Sequence, residues 1–137
     1  MIEVRALHKQ FSTGRGRQRR VVQAVAGVDF TAANGSITGL LGANGAGKTT
    51  TLRIAAALIE PDAGCVKVDG IEVAAHPTLA LARMGMLSDA RGLYPRLTAR
   101  ENIAYFGRLH GMDDGAAQAR AQALAEVLDM KALLDRR

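Results

Sequence analysis

The sequence predicts an α/β fold in which a β-rich part, ending near residue 95, is followed by a purely helical part. Three observations support this prediction. Short runs of alternating or wholly apolar residues, which are typical of strands, fill the first part. A glycine-rich turn joins one of these runs to a stretch with the composition of a helix. Beyond Pro95 the apolar residues recur at helical spacing, after a helix-start signal.

Composition places the chain among ordinary folded domains. It has 137 residues, of which 48% are hydrophobic and 23% charged, so wholesale disorder and collagen-like repeats are excluded. One cysteine excludes an internal disulfide framework. No apolar run approaches the roughly 18 residues that a membrane span needs, and we expect a cytoplasmic protein. The net charge of +5 fits a phosphate-bearing ligand or an acidic partner.

Several strand-like runs occur in the first part. Residues 2–7 nearly alternate, with Ile2, Val4 and Ala6 on one face. The run over 37–41 is almost wholly apolar, the pattern of a strand buried on both faces. The other predicted strands cover 21–25 and 28–30, 65–68, 71–73 and 85–87, and the predicted helices cover 48–58 and 78–83. Residues 12–20 form a predicted loop rich in glycine and arginine.

The second part is predicted to contain two helices. Thr98 and Glu101 have the spacing of a capping box, in which each side chain satisfies a free amide at the helix start. Asp113 or Asp114 is the predicted cap of the second helix. The predicted apolar stripes are Ile103, Phe106 and Leu109 on the first helix, and Ala121, Leu124, Ala125 and Leu128 on the second. We therefore divide the chain into residues 1–95 and 96–137.

A phosphate-binding motif lies between the run over 37–41 and the helix that follows. The segment Gly42-Ala-Asn-Gly-Ala-Gly-Lys-Thr49 matches the pattern G-x-x-x-x-G-K-[ST]. Its glycines let successive backbone N–H groups point inward, and the helix start adds the positive end of its dipole. Lys48 places a positive charge against the outer phosphates, and the Thr49 hydroxyl is a hard ligand suited to Mg²⁺. The predicted nucleotide-binding residues of the loop are Gly42, Ala43, Asn44, Gly45, Ala46, Gly47, Lys48, Thr49 and Thr50.

Around this motif the sequence resembles the ATP-binding subunits of ABC transporters. The loop is similar to the family's GPNGAGKTT, with Ala43 where proline is usual. Residues 7–11, 59–64 and 92–102 resemble the family's first strand, its xPxxG turn and the start of its helical subdomain. The resemblance implies a P-loop NTPase fold. The chain would be the N-terminal part of an ABC ATPase domain, with a β-rich subdomain and the P-loop strand and helix before the α-helical subdomain.

The resemblance also implies a function. The chain would be the ATP-binding subunit of an ABC transporter, coupling the binding and hydrolysis of ATP, with Mg²⁺, to transport by a membrane permease. A second ATP-binding subunit would complete a dimer that sandwiches ATP, at the inner face of the cell membrane. Nucleic acid is not an expected partner. Residues 89–94 are similar to exporters of the sodium-efflux type.

Two residues outside the loop take roles from the resemblance. Phe11 would stack its ring on adenine, and the alternative is a core phenylalanine at a strand end. Asp89 stands where the family has a glutamine that touches Mg²⁺ and the attacking water. It is therefore a predicted metal ligand together with Thr49, and the alternative is a solvated or capping loop aspartate.

Catalytic residues are not predicted in this chain. The family's signature motif, catalytic glutamate and switch histidine come later in its pattern than residue 137, so we expect the 137-residue chain alone not to hydrolyse ATP. Two other functions stay open at this point. One is an ABC-type ATPase that acts in translation or DNA repair, and the other is a non-catalytic nucleotide-binding module.

Overall fold

The structure, a computed structural model, describes residues 1–14, 20–87 and 92–137. The chain divides into two compact units, Met1–Leu87 and Ser88–Arg137, where the sequence suggested a change of character near residue 95. Most of the arginine-rich loop, residues 15–19, lies outside the described residues. None of the helices in the described ranges is long and apolar enough to cross a membrane.

An antiparallel sheet dominates the first unit. Its four strands lie in the order β2-β1-β3-β4. Their bounds are Ile2–Thr13 for β1, Arg20–Ala32 for β2, Ala63–Val68 for β3 and Ile71–Glu72 for β4. Two helices accompany the sheet, α1 over Lys48–Ala55 and α2 over Pro77–Leu81. The first two predicted strand runs are thus extended, and the runs over 21–25 and 28–30 join into one strand.

A bulge changes the buried face of β1. Val4 pairs with Phe30 and Leu7 with Val28, so three residues of β1 advance against two of β2. The Ala6 backbone adopts a φ of 43°, and the Asp29 carboxylate accepts a hydrogen bond from its N–H at 2.9 Å. Leu7 joins Val4 in the core while Ala6 is exposed. The predicted alternation, with Ala6 inside, was therefore wrong after Val4.

The core of the first unit forms from the sheet and both helices. Helix α1 contributes Ile54 and Ala55, and α2 contributes Ala80. Strands β1, β2 and β3 supply most of the rest, and Val73 follows β4. In β3, Val66 and Val68 are both buried because alternate residues of a strand reach the same face. The complete buried cluster is Val4, Leu7, Val25, Ile54, Ala55, Val66, Val68, Val73 and Ala80.

Two predicted buried strands do not form. Residues 37–41 and 85–87 carry no strand, and Ile37, Leu41 and Leu87 are almost completely exposed. A short apolar run becomes a buried strand only when neighbouring strands take up its backbone hydrogen bonds. Within the described ranges no strand lies beside either run, so both predictions were wrong for this chain.

Two helices, α3 over Ala99–Leu109 and α4 over Asp114–Val127, make up most of the second unit. The predicted capping box of α3 is confirmed: Thr98 Oγ1 accepts from the Glu101 N–H at 3.2 Å, and the Glu101 carboxylate accepts from the Thr98 N–H at 2.7 Å. That second bond lowers the pKa of Glu101 below its usual value. The cap of α4 is Asp113, whose carboxylate accepts from the Ala116 N–H at 2.8 Å.

Small residues carry the contact between α3 and α4. Ala104, Ala117 and Ala121 are buried, and a Cβ atom added at Gly107 would lie 3.3 Å from the Ala117 Cβ. The larger residues of the predicted stripes are mostly more exposed, which corrects that part of the prediction; Phe106, Leu109 and Leu128 are all exposed. Small side chains occupy the contact between α3 and α4 because they let the two helix backbones approach closely.

Gly64 packs against the β1 bulge. Its Cα faces the Arg5 and Ala6 carbonyls. A Cβ atom added at Gly64 would lie 2.2 Å from the Ala6 oxygen and 2.4 Å from the Arg5 oxygen. Its φ of 81° is also in the left-handed region that favours glycine. Gly70 has a similar φ of 79° but nothing within 4 Å of an added Cβ.

The two glycines make a matched pair for a stability test. Gly70→Ala should cost about 1–2 kcal/mol, the price of a left-handed alanine. Gly64→Ala should cost at least about 2 kcal/mol more, because two backbone carbonyls must also move. The free energies of unfolding from urea titrations check this. Equal costs for both variants would show that the bulge yields to a methyl group.

Candidate functional site

The loop over 42–50 forms an open cleft against strand β2. The cleft has a volume of about 290 Å³, which is close to the lower end of the range usual for ligand sites. It is lined by Val22, Gln23 and Ala24 of β2, and by Asn44, Gly45, Ala46, Gly47, Lys48, Thr49 and Thr50. The structure therefore brings most of the predicted loop residues together at one surface.

Lys48 is held inside the loop by two carbonyl groups. Its Nζ donates to the Gly42 oxygen and to the Ala43 oxygen, both at 2.7 Å. A lysine ammonium has three N–H donors, so these two bonds fix its position and leave donor capacity for a ligand. Gly42 and Ala43 thus act as the seat of the cation. The result is a positioned positive charge at the rim of the cleft.

The start of α1 adds a second source of positive potential. Its N-cap is Gly47, no side chain caps the helix, and the first turn carries no acidic residue. Intrahelical bonding begins when the Thr51 N–H donates to the Gly47 oxygen at 2.8 Å. The N–H groups before Thr51 have no carbonyl partner inside the helix. They and the helix dipole make this end of the cleft suited to an anion.

Gly47 is required by both conformation and space. Its φ is 86°, in the left-handed region, and an added Cβ would lie 2.1 Å from the Ala24 oxygen. Gly45 has a φ of 84° but no atom within 4 Å of an added Cβ. The loop can therefore lie against β2 only because residue 47 has no side chain. At Gly45 only the curvature of the loop, through its positive φ, requires a glycine.

The three threonines that follow Lys48 have different surroundings. Thr49 is exposed at the cleft, and Thr50 is half-buried in its wall. Thr51 is buried, and its hydroxyl donates to the Gly47 oxygen at 3.0 Å. In the part of the chain that the structure describes, no three His, Cys, Asp or Glu side chains cluster to hold a metal ion. Thr49, one of the two predicted metal ligands, is among the residues that the structure describes, whereas Asp89 is not.

Phe11 lies beside the cleft. It pairs with Val22 in the β1–β2 register, and Val22 lines the cleft, although Phe11 itself is not among the lining residues. Phe11 as a whole residue is 37% exposed, unlike a core phenylalanine. Its role with adenine stays a prediction.

Asp89 lies outside the described residues, as do its neighbours over 88–91. The assignment of this carboxylate to Mg²⁺ therefore stays a prediction from the sequence.

The amino-acid sequence matches a known protein family. Residues 25–137 match the family described as ABC transporter, which is more than half of the chain. The chain belongs to the ABC transporter family. The matched residues include the whole loop over 42–50 and both helices of the second unit.

Curated relatives of this ABC chain are named as ATP-binding proteins. It is 42% identical over 121 residues to the ABC transporter ATP-binding protein NatA of Bacillus subtilis, covering 88% of this chain and 49% of that protein. It is 39% identical over 113 residues to the Nod factor export ATP-binding protein I of Paraburkholderia xenovorans, covering 82% of this chain and 37% of that protein. The chain thus spans about half the length of such relatives, or less.

Solved structures confirm the predicted fold class. The dimeric structure of a bacterial ABC transporter cassette aligns with a TM-score of 0.81 at 23% identity, covering 100% of this chain and 61% of that one. The dimeric post-hydrolysis state of an ATP-binding cassette bound to ADP and Pi aligns with a TM-score of 0.78 at the same identity and coverage. At this identity the likeness concerns the fold of the ABC cassette.

The fit of the loop against β2 can be tested without a ligand. Gly47→Ala should lower the thermal unfolding midpoint by several degrees more than Gly45→Ala, because only the former meets the Ala24 carbonyl. Both variants share the cost of an alanine at positive φ, so their difference isolates the steric contact. Circular dichroism melts measure it. Superimposable melts of the two variants would contradict the close packing at Gly47.

Proposed function

We propose that this chain binds ATP through the loop over 42–50, with Mg²⁺, as the ATP-binding part of a transporter. The observation that carries the proposal is the seat of Lys48. Its ammonium is held at 2.7 Å from two loop carbonyls, beside the uncapped start of α1. A triphosphate brings dense negative charge and must give up hydration to bind. A positioned cation and free backbone amides offset that loss.

The described residues fit a nucleotide phosphate group on three counts. The cleft is open and large enough for a ligand. Gly47 lies directly against the Ala24 carbonyl of β2, and residues 44–50 line the cleft. The first turn of α1 has no carboxylate to repel an anion. Lys48, Gly45 and Gly47 are therefore the proposed phosphate-binding core of the loop, supported by Thr50.

Mg²⁺ would be held through the exposed Thr49 hydroxyl and phosphate oxygens. A hydroxyl oxygen is a hard ligand that Mg²⁺ accepts, and Mg²⁺ commonly binds proteins through few side chains plus substrate phosphates. When bound, the ion neutralises charge on the outer phosphates. Asp89 is the second proposed ligand, on the sequence alone.

Phe11 is the proposed contact for adenine. Its ring is partly exposed, and its strand neighbour Val22 lines the cleft. These two facts support a stacking role, because a base bound beside the loop needs a nearby flat apolar face.

For the whole protein we propose ATP hydrolysis coupled to a membrane permease. A second ATP-binding subunit would complete the dimer, at the cytoplasmic face of the membrane. Membership of the ABC transporter family supports this proposal. Relatives named for export or drug resistance, such as the linearmycin resistance ATP-binding protein LnrL of Bacillus subtilis, support an exporter of small molecules.

Replacing the seated cation should remove most nucleotide affinity. Lys48→Ala should weaken Mg-ATP binding about 10- to 100-fold, the loss expected for a charge-assisted hydrogen bond in a site. Isothermal titration of ATP into the 137-residue chain measures the change. Lys131→Ala, an exposed lysine of the helical unit, is the control and should bind as the parent does. An unchanged Kd in Lys48→Ala would sink the assignment of the loop.

The proposed adenine contact predicts a loss confined to nucleotides with a base. Phe11→Ala should weaken ATP binding about fivefold or more and leave inorganic tripolyphosphate binding unchanged, since the ring meets only the base. Competition titrations with both ligands give the two Kd values. Val21→Ala, at an exposed apolar position of β2, is the matched control. Equal losses for both ligands would mean that Phe11 only supports the strand.

A further inference from the structure

Asp62 clamps the far end of β1 through three hydrogen bonds. Its Oδ1 accepts from Lys9 Nζ at 2.7 Å, and its Oδ2 accepts from the Gln10 N–H at 2.6 Å. Its own backbone N–H donates to the His8 oxygen at 2.9 Å. We call Asp62 with these three contacts the Asp62 clamp. No local sequence pattern indicates the clamp, since the side-chain partners of Asp62 lie some fifty residues away in sequence.

The clamp lies where the strand ladder is irregular. The β1–β2 register shifts between Lys9 and Gln10, and the β1–β3 pairing reaches no further along β1 than His8. Backbone pairing with β3 therefore does not hold the part of β1 that carries Phe11. Asp62, just before β3, takes up the Gln10 N–H instead. The position of Phe11 thus depends on a side-chain contact as well as on the ladder with β2.

Lys9 links the Asp62 clamp to the Phe11 ring, because its ammonium group lies near both. Its side chain is only 15% exposed, which is unusual for a lysine, and its Nζ lies 5.6 Å from the centroid of the ring. The ammonium therefore has the Asp62 carboxylate as one partner and the aromatic ring as another. The hydrogen bonds from Lys9 and Gln10 hold the pKa of Asp62 below its usual value, so this carboxylate is charged at neutral pH.

We propose that Asp62 and Lys9 are positioning residues that orient the Phe11 ring toward an adenine base. They would set the preference of the site for adenine nucleotides over bare triphosphate. This proposal rests on the proposed role of Phe11. A ring that is already fixed loses little freedom when a base stacks on it, so the clamp favours the nucleotide through preorganisation. Phosphate binding at the loop over 42–50 is unaffected, because none of its contacts involves Lys9 or Asp62.

The test measures Kd for ATP and for inorganic tripolyphosphate in the same set of variants of the 137-residue chain. Asp62→Asn and Lys9→Met should each weaken ATP binding about 2- to 10-fold, the effect of freeing one side chain, with tripolyphosphate unchanged. Lys9→Arg should bind ATP as the parent does, unlike Lys9→Met, since arginine can keep both the ion pair with Asp62 and a cation beside the ring. Lys131→Met, which breaks the 2.8 Å pair with Glu126 in the helical unit, is the matched control.

Non-additivity provides a second readout. In a Phe11→Ala background, Asp62→Asn should cause no further loss of ATP affinity, because the clamp acts through the ring. Full additivity would overturn the proposal, and so would equal losses of ATP and tripolyphosphate in Asp62→Asn. If Asp62→Asn fails to fold, the comparison of Lys9→Met with Lys9→Arg decides.

The outcomes separate this proposal from the function on which it rests. If Phe11→Ala lowers ATP affinity selectively while Lys9→Met and Asp62→Asn bind as the parent does, the adenine contact stands and the positioning role is overturned. If Phe11→Ala has no selective effect, the adenine contact fails, and the positioning role fails with it. Loss of ATP binding in Lys48→Ala reports on the loop alone and is independent of both.

Discussion

The candidate site depends on one close approach, that of Gly47 to the Ala24 carbonyl of β2. No side chain fits between them, since a Cβ atom there would lie 2.1 Å from that oxygen. This contact seats the loop on the sheet, and it places the uncapped start of α1 beside the seat of Lys48. Lys48 and the first residues of α1 line the same cleft. Binding strength in such a site comes from donors that are already in place, because little ordering remains to oppose the ligand.

Strand β2, which carries the Ala24 carbonyl, is held in the sheet with the help of a second close approach, that of Gly64 to β1. Strand β2 pairs with β1, and β1 pairs with β3, where Gly64 lies against the bulge at Ala6. The bulge brings Val4 and Leu7 into the same core, which also receives Ile54 from α1. The helix that begins at the site is thus anchored by the same apolar cluster that orders the strands. A substitution at Gly64 should for this reason disturb the packing of the whole unit. A substitution at Gly47 should disturb only the loop and its contact with β2.

The two parts of the proposed nucleotide site, the loop over 42–50 and the region around Phe11, are held by different contacts. Lys48 and the start of α1 are held by short-range backbone geometry, within one loop and one helix turn. The region around Phe11 is held by contacts that cross from β1 to Asp62. Under the proposed function, affinity for phosphate and preference for the base can change independently, because the contacts of Lys48 and those of Asp62 share no residue in the described part of the chain. The loop over 42–50 lies wholly inside the range that matches the ABC transporter family.

The sequence by itself determined those features whose partners lie within a few residues. The capping box of Thr98 and Glu101 and the start of a helix at Lys48 were predictable, because each needs only a local spacing of residue types. The same kind of signal narrowed the cap of α4 to Asp113 or Asp114. Tertiary structure decided the rest. The bulge moved Ala6 out of the core, residues 37–41 formed no strand for want of pairing neighbours, and α3 met α4 through alanines and a glycine. Asp62 reached Lys9 across the sheet. Each of these outcomes depends on which backbone comes to lie alongside, and a linear pattern of residue types does not contain that information.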